Sequence, residues 1–333
     1  MRIGILGGGF MGRVHAQGWA AIGAELTAVA GPPHDPPTDL AQQFGATACA
    51  TFPELLERVD VVDVCAPTHL HHDLVLTAAR AGRHVICEKP LARTPQQGAA
   101  MLAACEEAGV QLLVAHVVRF FPEYAAAKAA VGRGAIGTPA VLRLSRATFQ
   151  PRKQADNWFT DEARSGGLVL DLMVHDFDIA RWIAGDVTTV FAKGLAARNL
   201  VAGVDHCLAL LTHSGGAITH VEGSWAYPAP AFRTRFEIAG SSGVLDFDSD
   251  RDAPVRTLRA PRDDAGEIPL PGSPLAEAPH TTQLRHLLAV LRGDVAPIVT
   301  AADGLAAVQI AAAVATSIRS GAPVDVARDE VWA

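Results

Sequence analysis

The sequence lacks a disulfide or zinc framework. Its five cysteines, Cys49, Cys65, Cys87, Cys105 and Cys207, are odd in number, and the nearest two, Cys49 and Cys65, stand 16 positions apart. No CxxC pair exists, so free, mostly buried thiols in a reducing compartment are expected. The sequence also lacks an uninterrupted apolar run of about 18 residues, and nothing long enough for a signal peptide precedes the strand-like Arg2–Leu6. Neither a membrane span nor secretion is expected, which makes the expected location cytoplasmic. Basic charge is scarce too. Lys and Arg number 28 against 35 Asp and Glu, a net charge of −7 spread along the chain. A nucleic-acid partner needs a concentrated basic face, which this pattern excludes.

What is present suits a soluble two-domain protein. The 333 residues exceed what one ordinary core organises, and 49% of them are hydrophobic. Up to residue 120, strand-like and helix-like segments alternate. Ile3–Leu6, Leu26–Ala30, Val61–Cys65, His84–Cys87 and Leu112–Ala115 are short, nearly uniformly apolar and rich in β-branched residues. Strands buried on both faces of a parallel sheet have that composition. Ala-rich stretches, Asp73–Ala81 and Pro95–Ala108, read as helices ending at Gly82 and Gly109, where a left-handed cap residue belongs. The alternation predicts a doubly wound α/β sheet over 1–120.

From 121 to 333 the rhythm differs. Val141–Phe149, Thr188–Ala196, His206–Thr212, Ile218–Trp225 and Arg233–Ile238 alternate apolar with polar residues and are joined by Gly- and Ser-rich turns. That pattern predicts an antiparallel sheet with one solvated or partner-facing side. One long helix is expected over Leu168–Ala184 and a last one over Ala301–Arg319, with Asp250–Pro279 as irregular loop.

Three motifs carry chemistry. Gly7, Gly9 and Gly12 form GxGxxG directly after the first strand. Gly7 permits the tight turn, Gly9 lets backbone approach a pyrophosphate, and Gly12 lets helix and strand pack closely, while the helix N-terminus offers N–H groups to the phosphates. Phe10 and Met11 open that helix. The carboxylate that would bond the ribose of NAD at the second strand's tip is missing. The tip reads Ala30-Gly31-Pro32, Asp35 comes late, and no Arg stands there for a 2′-phosphate, so NAD and NADP both remain open. Glu88-Lys89-Pro90 ends a later strand and places an ammonium where it can stabilise charge on a substrate oxygen; a cis bond at Pro90 is expected. Asp171, His175 and Asp178 stand at i, i+4 and i+7, one face of a helix, and supply a base with its positioning carboxylate. Ser165-Gly166-Gly167 before them allows close backbone approach. His69, His71 and His72 follow the third strand, but adjacent histidines diverge and no further ligand completes a set, so no metal is expected.

Together the motifs resemble the family of glucose–fructose oxidoreductase and inositol dehydrogenase. Gly7–Gly12, Pro67–His71, Glu88–Pro90 and Gly166–His175 carry the resemblance, which covers most of the chain. It implies a Rossmann domain followed by an α+β domain with a large, mostly antiparallel sheet, through which such proteins form dimers or tetramers. It implies NAD or NADP, with NAD favoured, held by Gly7, Gly9, Phe10, Met11, Gly12, Pro67, Thr68, His71, Glu88, Lys89 and Arg119. It implies Lys89, Asp171 and His175 as catalytic residues, and a sugar or polyol bound by these together with Arg119 and Trp158. Thr68 stands where the family has asparagine, and Gly31 where it has an acid. The run Met173–Asp178 looks most like the inositol and polyol branch. The implied activity is reversible hydride transfer from a secondary hydroxyl of a sugar or cyclic polyol. Reduction of a keto sugar or imine, and a non-catalytic NAD(P) or sugar sensor, are the alternatives.

Overall fold

The computed structural model describes residues 1–32, 36–150, 157–196, 205–250 and 277–326. Asp35 and nearly all of the expected 250–279 loop lie outside these residues. The first third of the chain runs β1 (Arg2–Leu6), α1 (Phe10–Ala21), β2 (Glu25–Ala30), α2 (Thr38–Phe44), β3 (Thr47–Cys49), α3 (Phe52–Arg58), β4 (Val61–Val64), α4 (His71–Arg80), β5 (His84–Glu88), α5 (Pro95–Glu107) and β6 (Leu112–Ala115). It continues with α6 (Pro122–Gly132), β7 (Pro139–Thr148), α7 (Glu162–Ser165), α8 (Gly167–Asp171), α9 (Val174–Ala184), β8 (Val187–Leu195), β9 (His206–His213), β10 (Ile218–Ser224), β11 (Phe232–Gly240) and β12 (Val244–Asp248). Then come α10 (Pro279–Leu291), α11 (Ala301–Ser320) and β13 (Val324–Asp325).

Contacts divide the chain into two units. The first holds a six-stranded parallel sheet in the order β3-β2-β1-β4-β5-β6, the dinucleotide-binding order. Apart from Arg2 at the start of β1, its middle strands β1 and β4 are buried, as in a sheet covered on both faces. β3 was not expected; three residues are too few for a periodic signal. The sequence reading placed everything after residue 120 in the second domain. The structure instead groups the stretch up to Leu305 that contains α10 with the first unit. Leu284, Leu287 and Leu291 of α10 complete the core around Ile3, Ile5 and Trp19. Gly18 of α1 makes that approach possible, since a Cβ there would stand 2.6 Å from a Leu284 methyl.

The second unit holds a seven-stranded sheet, β12-β11-β7-β10-β9-β8-β13. All pairs are antiparallel except β7 with β10. One face is buried through Leu142, Leu144, Ala209, Leu211 and Val221, and on the other face alternate residues are exposed. The expected long helix is two helices. Leu172 and Met173 form a turn between α8 and α9, and the carbonyl of Leu168 accepts both the Leu172 N–H (3.0 Å) and the Met173 N–H (3.1 Å). Met173 is fully buried, and a Cβ on Gly223 of β10 would stand 2.4 Å from its Cγ. The apolar side chain at the break thus fills the space above a glycine, and the helix gives way to it. Among the described residues α11 alone is long and apolar enough to cross a membrane, and its Ala307, Val308, Ile310, Ala311, Ala313 and Val314 are buried in protein.

Candidate active site

In the first unit, the glycine loop follows β1, Pro67–His71 follows β4 and Lys89 follows β5. These strands are adjacent and parallel, so the three segments stand side by side at one sheet edge, the carboxyl edge where open α/β sheets bind ligands. Gly7 has φ +120°, and a side chain there would strike the Cys65 carbonyl oxygen at 2.5 Å. A Cβ on Gly12 would stand 1.9 Å from the Gly7 carbonyl oxygen. Both glycines are therefore demanded by the turn. Gly9 differs: it is exposed, and a Cβ there would meet nothing within 4 Å. Gly9 caps α1 without a side-chain bond, and no acid occupies the first turn, whose residues include Phe10 and Met11. Open space in front of uncapped helix N–H groups fits a pyrophosphate. Gly8, which the motif reading passed over, also matters: Pro37 lies against it, 2.4 Å from where a Cβ would be. At the tip of β2 the Gly7 N–H donates to the Ala30 carbonyl at 2.8 Å. Asp39 of α2 pairs with Arg13 of α1 at 2.6 Å.

Thr68 is buried in a short turn, Thr68–Leu70. The ring nitrogens of His71 lie 3.0 Å from the Pro90 carbonyl oxygen and 2.9 Å from that of Ala66. His72 meets Asp73 at 2.7 Å. Buried between these two carbonyls, the His71 ring ties the β4 loop to the Lys89–Pro90 turn. The Lys89–Pro90 bond is cis. Lys89 is half-buried, and its N–H donates to the buried Glu88 carboxylate at 3.1 Å.

Arg119 was expected to line a cleft. It is 3% exposed, and its Nη1 lies 2.7 Å from the Ile298 carbonyl oxygen and 3.3 Å from Asp303. Asp303 also caps the start of α11 through Thr300. Burial and a carboxylate partner make Arg119 an internal anchor, a role its neighbours in sequence could not reveal.

In the second unit, Asp171 closes α8 and is buried, while half-buried His175 lies in the first turn of α9. Their spacing therefore spans the break instead of one continuous helical turn. Asp178 is buried further along α9. The Gly-Gly pair before α8 is a close approach, as expected: Gly166 has φ +86°, and a Cβ would stand 2.5 Å from Nη1 of Arg93, whose guanidinium bonds the Ala163 and Glu162 carbonyls. Trp158 begins a short turn and stacks on Phe159 with ring centroids 3.9 Å apart.

Sequence reasoning missed Asp176, next to His175. It is 0% exposed and accepts two bonds from Arg146 of β7, at 2.8 and 3.0 Å. Burial pushes the Asp176 carboxyl above its ordinary range, and the guanidinium pulls the other way. The pair seats the helix of His175 on the sheet. Nothing local signals it, because 30 positions separate the partners.

Residues 1–116 match the oxidoreductase family with an NAD-binding Rossmann fold, and residues 124–246 match the GFO/IDH/MocA C-terminal domain. The D-apiose dehydrogenase of Paraburkholderia graminis is 32% identical over 96% of this chain and 88% of its own length. The scyllo-inositol 2-dehydrogenase (NAD(+)) of Bacillus subtilis is 30% identical over 97% of this chain and 96% of its own. Among solved structures, GenD2 from gentamicin A biosynthesis in complex with NAD superimposes with a TM-score of 0.84 at 27% identity, covering 98% of this chain and 96% of that one. Motif order, the two sheets and these full-length matches agree: the chain belongs to the GFO/IDH/MocA family of NAD-binding oxidoreductases.

Proposed function

We propose that the protein oxidises a secondary hydroxyl of a sugar or cyclic polyol, reversibly, with NAD. One observation carries the reading: the glycine cradle and Lys89 follow parallel strands, β1 and β5, with only β4 between them, at the same sheet edge. Bound nicotinamide supplies the acceptor for the hydrogen on the hydroxyl-bearing carbon. His175 takes the hydroxyl proton, a role suited to an imidazole because its ordinary pKa lies near neutrality. Lys89 donates a hydrogen bond to the reacting oxygen and stabilises its negative character. Asp171 binds substrate hydroxyls or orients the base, and Trp158 shapes the pocket. The products are a ketone, NADH and a proton on His175. Carbonyl reduction is the same chemistry reversed.

The bared sheet face supports self-association. Phe191 and Leu210 are cross-strand partners, both exposed, with exposed Leu195, Leu208 and Ile218 on the same face. An apolar patch of that kind marks an interface, here with a second copy to give a dimer or tetramer. A cytoplasmic location accords with the five free cysteines.

The test is turnover of inositols, sugars and sugar acids with NAD and NADP separately, beside Lys89→Ala. The variant is expected to lose kcat/KM by about 10²–10³, the usual cost of one oxyanion donor, while Kd for NAD stays nearly constant. Wild-type turnover in the variant refutes the mechanism. NAD binding without turnover across the panel favours a sensor.

A further inference from the structure

Beneath Lys89 lies a buried polar chain that the chemistry above does not use. His15 of α1 and Asp63 of β4 are both 0% exposed, in the middle of the first unit's core. His15 Nδ1 stands 2.9 Å from Asp63 Oδ2 and 3.1 Å from Oδ1. Its other nitrogen, Nε2, stands 3.1 Å from Glu88 Oε1, an ion-pair distance without the alignment of a hydrogen bond. The second oxygen of Glu88 accepts the backbone N–H of Lys89. Trp19 donates to Asp63 at 2.7 Å. Cys65 lies 3.3 Å from His15 Nδ1.

The chemistry of this arrangement is restrictive. A neutral imidazole has one N–H and one lone pair. Here both nitrogens face carboxylate oxygens, so a neutral ring would turn a lone pair on one of them. A cation presents positive charge to both carboxylates. The order Asp63, His15, Glu88 then alternates in charge, and Lys89 adds a further positive charge acting on Glu88. Buried carboxylates are tolerable only when countered in this way.

We propose that His15 is a positioning residue for Lys89: a buried imidazolium clamped between Asp63 and Glu88, which holds the Glu88 carboxylate in the orientation that pins the Lys89 backbone. The inference rests on the reading of Lys89 above. Every titratable group facing the clamp is compatible with it. Burial alone would lower His15, but the Asp63 carboxylate and then the Cys65 sulfur override burial and hold it well above its ordinary value. Burial would raise Glu88, but the His15 ring and then Lys89 hold it below the ordinary range. Burial pushes the Cys65 thiol up to about 12, so it stays protonated. Burial and the nearby His15 lower His280 of α10 to about 4, so it stays neutral. The spacings among His15, Asp63 and Cys65 are those of direct hydrogen bonds, which accounts for the cluster without an ion between them.

Two measurements on the full-length protein test the clamp without a known substrate. In protein labelled with 15N-histidine, one of the 13 histidines, identified by its loss in His15→Gln, is expected to carry protons on both ring nitrogens at pH 8. Asp63→Asn, which keeps the hydrogen-bonding shape, is expected to return it to a neutral ring. A neutral His15 in the wild type at pH 8 overturns the proposal. The chain has four lysines, Lys89, Lys128, Lys153 and Lys193, so 15N-lysine labelling resolves the Lys89 amide. Its hydrogen exchange is expected to quicken about tenfold in His15→Gln, the loss of one charge-assisted hydrogen bond, with Lys128 and Lys193 unchanged. Equal acceleration at all lysines signals general loosening and overturns the positioning role, as does no change at Lys89. With an active substrate, His15→Gln is expected to lower kcat with little change in KM and to move the acid limb of the pH profile upward, because Glu88 protonates more easily. An unchanged pH profile and kcat overturn it. Retained turnover in Lys89→Ala would instead refute the site reading, and the exchange result would still decide the clamp.

Discussion

Replacing Arg146 by Met leaves the Asp176 carboxylate, 0% exposed, with no guanidinium in place of the two bonds at 2.8 and 3.0 Å. Breaking a buried pair from one side costs about 3–5 kcal/mol, since an uncompensated charge stays behind. For a unit of this size that lowers the thermal midpoint by roughly 6–20 °C. Urea unfolding followed by tryptophan fluorescence measures it, with Trp225, buried after β10, as a reporter in the same unit. The sign with pH follows from the carboxyl. Burial already raises Asp176, and removing Arg146 removes the opposing pull. A carboxyl raised in the folded state binds a proton that the unfolded chain does not. The penalty is therefore largest at neutral pH and shrinks as pH falls through the raised value. Replacing both partners, Arg146→Met with Asp176→Leu, is expected to restore most of the stability, because no buried charge remains. A single variant that unfolds within about 0.5 kcal/mol of wild type at pH 7, the range of an ordinary surface substitution, refutes the reasoning.

Gly9→Ala and Gly12→Ala separate binding from folding. The first is expected to leave the melting temperature unchanged and weaken NAD about tenfold or more by calorimetry, because its Cβ enters open space meant for phosphate. The second is expected to unfold the first unit by circular dichroism, because its Cβ strikes the Gly7 carbonyl oxygen at 1.9 Å. His280 titrates near 4 when folded and near 6.5 when unfolded, so the unfolded chain binds more protons between those values. Stability is expected to fall as pH drops through that window, by about 1.4 kcal/mol per pH unit and roughly 3 kcal/mol in all, and the His280→Gln difference in urea midpoints should track it. Leu210→Arg, on the bared sheet face, is expected to reduce the mass by light scattering to that of one chain while the fold persists.

Much of the fold was legible because its signals are local. β6 is an unbroken apolar run, and β1 and β4 are nearly so apart from Arg2 and Asp63; runs of that kind belong to strands covered on both faces. From Cys207 onward the side chains of β9 are buried and exposed in turn, although Cys207–Leu211 are all apolar. β3 and β13 were too short to carry a period. The break between α8 and α9 was hidden for a different reason: the i, i+4 spacing of Asp171 and His175 is helical, and only Gly223 on a distant strand makes room for Met173 to interrupt it. The glycine turn, the Lys89 turn and the Gly-Gly approach were readable because each depends on backbone geometry within a few residues.

The sequence by itself determined the chemistry on offer: a glycine cradle after the first strand, an amine after a later one, and an imidazole with carboxylates following the first strand of the second sheet. Only the tertiary structure decided which polar groups are buried and with whom. Arg119, read as a site residue, is anchored on Asp303. His71, read as a cofactor contact, lies against the carbonyls of two loops. His15, Asp63 and Glu88 looked unrelated and form one charged chain. Backbone demands act between neighbours and leave a pattern in the sequence. Burial brings together residues many positions apart, and no local pattern records which charge will find its partner there.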